Sequence, residues 1–371
     1  MTATDLGAAA HRAAIAQAGI AAADIDEVIS GCVLQAGLGQ APARQAAIKA
    51  NIPTSTGATT VNKVCGSGMK SVMLAHDLIK LGSADIVLAG GMESMSNAPY
   101  LLGKARAGYR LGHGELKDHM FLDGLEDAYE AGKAMGCFAD ATAKQYHFTR
   151  QQQDDFATQS MTRALEAQRT GAFDDEIVPV TVHSRKGDIT ITLDEGPDPV
   201  KLAKIPNLKP AFQADGTVTA ANSSSIADGA ASLILMTAAN ATARGLKPLA
   251  RIVAHASFAQ EPQWFTTAPI TAIKKVLTKA GWKTDDVDLY EINEAFAVVA
   301  MVAISELELD PAKVNVHGGA CALGHPIGAS GARILVTLIY ALLHQKKTRG
   351  VAAVCIGGGE ATAVAIEVIH A

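Results

Sequence analysis

The chain repeats itself. Ala18-Gly19 followed by Asp24-Ile25-Asp26 returns as Ala280-Gly281 followed by Asp286-Val287-Asp288, 262 positions later. Gly66-Ser67-Gly68 returns as Ala329-Ser330-Gly331 at an offset of 263, and Ala89-Gly90-Gly91-Met92-Glu93 as Ile356-Gly357-Gly358-Gly359-Glu360 at 267. Any one match is weak. Three in the same order at nearly constant spacing indicate a duplicated unit. The unit reads as α/β: an alanine-rich helix from Asp5 to Gly19, a turn into a strand at Asp24–Ile29, a helix at Gln40–Ile48, a short apolar run at Val61–Val64, and a buried strand at Ala84–Ala89 closed by Gly90-Gly91. The second copy opens on a further strand pattern, Ala250–His255, whose counterpart would fall before Met1. The first sheet is therefore expected to be one strand short, or the chain to start late.

Between the copies the character changes. Residues 97–220 are richer in charge, glycine and polar turns, and read as an inserted loop domain. They hold one clear helix, with a capping-box pattern at Thr149 and Gln152 and Ala157, Met161, Ala164 and Leu165 on one face. The expected division is 1–96 for the first half, completed by about 221–248, 97–220 for the insert, and 249–371 for the second half.

Composition narrows the function classes. With 371 residues, 49% hydrophobic and 19% charged, the chain can bury a sizeable core. A net charge of −5 without a basic cluster argues against nucleic acid, and no apolar run is long enough to span a membrane. Cys32, Cys65, Cys137, Cys321 and Cys355 are odd in number and have no zinc-like spacing, which suggests free thiols in a reducing cytoplasm and no metal.

Four stretches carry chemistry. In Val61-Asn62-Lys63-Val64-Cys65-Gly66-Ser67-Gly68, a cysteine precedes a helical pattern in which Val72, Ala75 and Ile79 share a face and Gly82 suits the C-terminal cap. The helix dipole there would favour a thiolate. Cys65 alone fits a buried inert thiol better. His317–Arg333 is dominated by glycine and alanine, and His325 sits in a Gly-His-Pro turn just before a helix, where backbone can approach closely. Val351–Gly359 is a buried strand ending in Cys355 and a glycine run whose N–H groups could hold an oxyanion, or could form only a flexible turn. Glu291–Ala297 places Asn293 where an apolar strand meets polar residues; alone it is better explained as a satisfied turn or cap residue.

Together these motifs resemble the thiolase family, which makes or cleaves 3-ketoacyl-CoA. They are VCGSG with Cys65, NEAFA with Asn293, GHPIGASGAR with His325 and CIGGG with Cys355, in the family's order, and the likeness runs through the whole chain. Lys117-Asp118-His119-Met120, with Asp123-Gly124-Leu125 and Asp127-Ala128, resembles the biosynthetic, acetoacetyl-CoA type. The resemblance implies two five-stranded mixed α/β halves packed through a shared helical layer, plus the insert. It implies that Cys65 carries an acetyl group, that His325 removes its proton, and that Cys355 is the base for a second acetyl-CoA. The enolate oxygen would meet His325 and a water held by Asn293, and the acetyl oxygen the N–H groups of Cys65 and Gly357.

Along the pantetheine arm the resemblance implies Met135, Phe212, Ala220, Ser224, Ala295 and Phe296, with Phe265 beside the acyl pocket. Gly132-Lys133-Ala134-Met135 replaces the family's Gly-Tyr-His-Met, and Glu195–Lys204 departs from the usual nucleotide contacts, so chain-length preference stays open. The implied reaction is 2 acetyl-CoA ⇌ acetoacetyl-CoA + CoA, part of fatty acid metabolism, by a homodimer or homotetramer with no cofactor beyond CoA thioesters. The alternatives are a thiolase that cleaves longer 3-ketoacyl-CoA chains and a non-catalytic acyl-CoA-binding relative. A decarboxylating ketoacyl synthase would have no need of a second cysteine base at Cys355.

Overall fold

The computed structural model describes residues 1–370 except Ser184 and Lys186. Helix α1 (Ala3–Ala18) starts from a capping box in which the Thr2 hydroxyl accepts from Asp5 N–H and the Asp5 carboxylate accepts from Thr2 N–H; it ends on Gly19 at φ 67°. Then come β1 (Glu27–Gly31), α2 (Pro42–Lys49), β2 (Gly57–Val61), α3 (Ser67–Lys80) and β3 (Ile86–Ser94). Every residue of β3 is buried. Ile86 and Leu88 pack with Ala8, Ile15 and Ala47 on one side, while Val87 and Ala89 pack with Met69 and Val72 on the other. A strand covered on both faces shows no alternation, which is why this one reads as a continuous apolar run.

The middle of the chain holds the short pairs β4 (Tyr100–Leu101) with β5 (Lys117–Asp118) and β6 (Val180–Val182) with β7 (Ile189–Ile191), and the helices α4 (Met135–Gln145), α5 (Arg150–Thr170) and α6 (Pro199–Leu202). The Thr149–Gln152 capping box of α5 forms, and Ala157, Met161 and Ala164 are buried. The segment thus holds two long helices, where the sequence pattern showed one. α4 has no side-chain cap and carries Gly136 in its first turn, so it lacks both start signals.

The chain then returns to the first sheet through β8 (Asp228–Met236), antiparallel to β3. After α7 (Ala238–Ala243) follow β9 (Ala250–Ala259), α8 (Ala268–Ala280), β10 (Leu289–Ile292), α9 (Ala297–Glu306), α10 (Ala320–Leu323), α11 (Ser330–His344), β11 (Arg349–Ile356) and β12 (Glu360–Val368). The first sheet has the order β2-β1-β3-β8 and the second β10-β11-β12-β9. By position in the two sheets, β1 corresponds to β10, β3 to β11 and β8 to β12. Each sheet has four strands rather than the five implied, for a different reason in each half. In the second, the partner of β10 has shrunk to one parallel pairing of Tyr290 with Val314, where β1 pairs with all of β2. In the first, no counterpart of β9 is present among the described residues.

The two sheets sandwich α3 and α11. Met69, Val72 and Ile79 meet Ile334, Leu338 and Leu342 in one apolar cluster with strands from both halves. Each such fully buried side chain contributes roughly 2 kcal/mol. α1 and α2 cover the outer face of the first sheet, and α8 and α9 that of the second. The two central helices touch through glycine: a Cβ on Gly331 would lie 2.6 Å from Met69, and one on Gly68 2.9 Å from the Ala332 nitrogen. This brings both helix N-termini to one place, beside the ends of β3 and β11.

Candidate active site

The turn into α3 is strained. Val64 adopts φ 45°, unusual for a β-branched residue and costing on the order of 1–3 kcal/mol. Side chains hold it there: Val64 N–H donates to Asn62 Oδ1 (3.0 Å), Lys63 N–H donates to Ser67 Oγ (2.8 Å), and Ser67 Oγ donates to the Val64 carbonyl (2.6 Å). The next residue, Cys65, is half-buried against Val33, Leu34 and Ile327. Burial pushes its thiol up to about 11, while the N–H groups of Gly357 and of Cys65 itself pull the other way. The sequence pattern favoured a thiolate at this helix start. Desolvation outweighs the dipole, and the resting group is the thiol.

The second half supplies the other groups. Cys355 is buried one residue before the end of β11, and its thiol is raised well above the usual range by burial and by the Cys65 sulfur. Gly357 follows immediately. Asn293 lies just beyond β10, whose register sets Ile292 opposite Ala353, and its N–H donates to the Ala353 carbonyl (3.0 Å). His325 is held by its backbone N–H to the Ser225 carbonyl (3.0 Å).

The His325 tautomer follows from its neighbours. Ser330 Oγ donates to the Pro326 carbonyl (2.9 Å), so it accepts from His325 Nδ1 (2.5 Å). Nδ1 therefore carries the proton and Nε2 the lone pair. The Asn293 amide lies 3.5 Å from the same Nδ1–H, which suits its oxygen in the near position and its NH2 in the far one. That far position and His325 Nε2 are both buried with no partner in the protein. Burial first, then the Arg333 charge, holds the imidazole down to about 3, so it rests neutral.

Glu93, Ser330 and Val64 were not singled out by the sequence patterns. Glu93 is buried at the end of β3. It accepts from the N–H groups of Val33 (3.0 Å), Leu34 (3.1 Å) and Gly328 (2.9 Å), tying the His325 loop to the first half. Burial raises its carboxyl to about 7. The available signal was a carboxylate inside an apolar strand. Gly91, two residues earlier, lets the loop in: a Cβ there would stand 2.0 Å from the Gly328 carbonyl. His119 anchors the insert, accepting from Ala36 N–H (3.2 Å) while its Nδ1 pairs with Asp123 (2.7 Å).

The residues implied for the pantetheine arm fall into one chain of contacts, except Ala220. The Met135 methyl would lie 3.3 Å from a Cβ on Gly357. The Phe212 ring lies against Gly136 and meets Phe296 edge to face, with centroids 5.9 Å apart. Phe296 meets Phe265 (6.4 Å), which meets Phe138 (6.4 Å). Ser224 N–H donates to the Ala295 carbonyl (3.0 Å). Phe265 is buried, whereas Phe212 and Ala220 are exposed.

Comparison with known proteins bears on this arrangement. Residues 1–239 match the thiolase N-terminal domain and residues 246–368 the thiolase C-terminal domain. The acetyl-CoA acetyltransferase of Allochromatium vinosum is 49% identical over 369 residues, covering 99% of this chain and 93% of its own. Acetyl-CoA acetyltransferase 1 of Arabidopsis thaliana is 51% identical over 370 residues, covering 99% and 89%. Among solved structures, a thiolase from Ascaris suum in complex with coenzyme A superposes with a TM-score of 0.94 at 44% identity over 100% of this chain and 94% of its own. The Bacillus anthracis acetyl-CoA acetyltransferase gives 0.96 at 41% over 100% and 93%. Two domain matches that divide the chain, and relatives near half-identical along its length, make it a member of the thiolase family.

Proposed function

We propose that this protein is an acetyl-CoA C-acetyltransferase that joins two acetyl-CoA molecules into acetoacetyl-CoA and CoA, reversibly, through an acetyl-Cys65 intermediate. The observation that carries the reading is the pairing of two sulfurs from opposite halves, Cys65 and Cys355, with the Gly357 N–H on the first of them. The names of the half-identical relatives support the same substrate.

The protonation states suggest an order of events. The resting site is neutral: two raised thiols and a lowered imidazole. In the first step His325 Nε2 takes the Cys65 proton as the sulfur attacks the thioester carbon. The acetyl oxygen turns toward the N–H groups of Cys65 and Gly357, where one such donor is typically worth about 3 kcal/mol. The C–S bond to CoA breaks, and the departing sulfur takes the Cys355 proton. This leaves imidazolium and Cys355 thiolate, a mutually stabilising pair. Thioester exchange is close to balanced in energy, so the acyl-enzyme is not a sink.

In the second step the Cys355 thiolate removes a methyl proton from a second acetyl-CoA. The enolate oxygen accepts from His325 Nε2–H and from a water on Asn293. The enolate carbon attacks acetyl-Cys65, a carbon–carbon bond forms, and the Cys65 sulfur leaves with the proton returned by His325. Every proton is accounted for without a redox partner or metal. The CoA arm would run along Met135, Phe212, Ala220, Ser224, Ala295 and Phe296. Phe265, wedged between Phe138 and Phe296, would limit the acyl group to short chains. Comparing turnover of acetoacetyl-CoA with 3-ketohexanoyl-CoA tests that limit.

No helix among the described residues is long and apolar enough to cross a membrane. A cytoplasmic enzyme of fatty acid metabolism, dimeric or tetrameric through its insert, is the setting we infer, and light scattering reads the assembly. The decisive experiment for function is intact-protein mass after brief exposure to acetyl-CoA. One acetyl adduct is expected on the wild type and on Cys355→Ala, and none on Cys65→Ser. Loss of the adduct in Cys355→Ala as complete as in Cys65→Ser would overturn the division of roles.

A further inference from the structure

The end of α3 farthest from Cys65 faces β9, the outer strand of the second sheet. There His76 and Asp77 meet His255. Asp77 Oδ1 lies 2.9 Å from His255 Nε2 and 3.5 Å from His76 Nδ1, and the two rings stand edge to face with centroids 5.1 Å apart. Among the described residues this is the one group of three histidine, cysteine or acidic side chains whose ligating atoms all lie within 4.8 Å of one another.

One of those atoms is unaccounted for. His76 Nδ1 is buried and has no hydrogen-bond partner, although it sits beside a carboxylate. A cation within reach of all three atoms would give that nitrogen a partner.

We propose that His76, Asp77 and His255 form a site for a divalent transition metal of the zinc type, which staples α3 of the first half to β9 of the second. Two neutral imidazoles and one carboxylate are a borderline N2O donor set suited to Zn2+. With zinc–ligand bonds of about 2.1 Å, tetrahedral ligand atoms stand about 3.4 Å apart. The observed 2.9 and 3.5 Å bracket that value. Asp77 is about half exposed, leaving an entry path and a fourth position for water. Of the nearby cations, Lys279 donates to the His255 carbonyl (3.0 Å) and Lys80 is exposed on the same helix. The site lies roughly 15 Å along α3 from Cys65, so the ion would act on stability and on the alignment of the halves, not on the reacting atoms.

The test uses the full chain with its reactive thiols alkylated beforehand and Co2+ as the optical probe. One Co2+ per chain is expected, with the visible absorption of a tetrahedral N/O site and no sulfur charge-transfer band. Zn2+ should raise the melting temperature of the same protein. His255→Phe and His76→Gln should each weaken binding at least about tenfold and remove the Zn2+-dependent rise. Should His255→Phe fail to fold, His76→Gln, on a partly exposed helix face, decides alone. Absence of binding, unchanged binding in the foldable variants, or a thiolate charge-transfer band would each overturn the proposal.

Discussion

At the scale of single residues, the site rests on a proton whose place is set by a hydroxyl. Ser330 has its own hydrogen committed to Pro326 and can only accept from His325, which keeps Nε2 free as the base. Ser330→Ala removes that bias. We expect kcat to fall about 100-fold, as wrong-tautomer variants of other imidazole bases do or worse, with KM for acetyl-CoA little changed in steady-state assays. The raised Cys65 thiol makes a second prediction. A group near 11 is only about a thousandth ionised at pH 8, and the fraction grows about tenfold per pH unit. Alkylation of Cys65 by iodoacetamide should therefore climb through pH 7–10 without levelling off. A plateau near neutrality would mean a preformed ion pair with His325. The chemistry-bearing types at this scale could be read directly from sequence, because cysteine, histidine and glycine runs announce themselves. Ser330, Glu93 and Val64 could not, since their work depends on which backbone groups the fold brings to them.

At the scale of elements, glycines decide how closely strands and helices meet. Gly91 is the tightest case: a methyl there would overlap the carbonyl of Gly328, and the His325 loop could not seat. Gly91→Ala should destabilise the protein by about 1–3 kcal/mol in urea unfolding, with a loss of activity larger than the unfolded fraction explains. A stability loss with full activity in the folded fraction would show that the loop adapts. α1 and α5, with capping boxes, and α3, with one apolar face and Gly82 just past its end, could be read from sequence. α4 could not, lacking a cap. α9 could not either, because its residues Ala297–Ala300 and Val302–Ala303 are buried on all sides and leave no amphipathic period. Pattern reading finds half-buried elements more easily than fully buried ones.

At the scale of the whole molecule, the repeat predicted two like halves, and the sandwich of sheets around α3 and α11 is its physical form. The repeat did not predict how each copy departs from the plan. The single pairing at Val314 and the unmatched β9 depend on what covers each sheet edge, which one sequence does not state. The halves are also tied by charge at the site's rim, where Lys63, two residues before Cys65, pairs with Glu360, three residues after Gly357.

The meeting of two helix starts at a seam has a consequence for how such an enzyme could be taken apart. The first 243 residues hold all four strands of one sheet together with Cys65; the remainder holds the other sheet with Asn293, His325 and Cys355. Produced as two polypeptides cut within residues 244–249, each fragment should be inert, and turnover should return on mixing in proportion to the reassembled complex. A fragment that forms acetoacetyl-CoA by itself would mean that the catalyst is not shared between them.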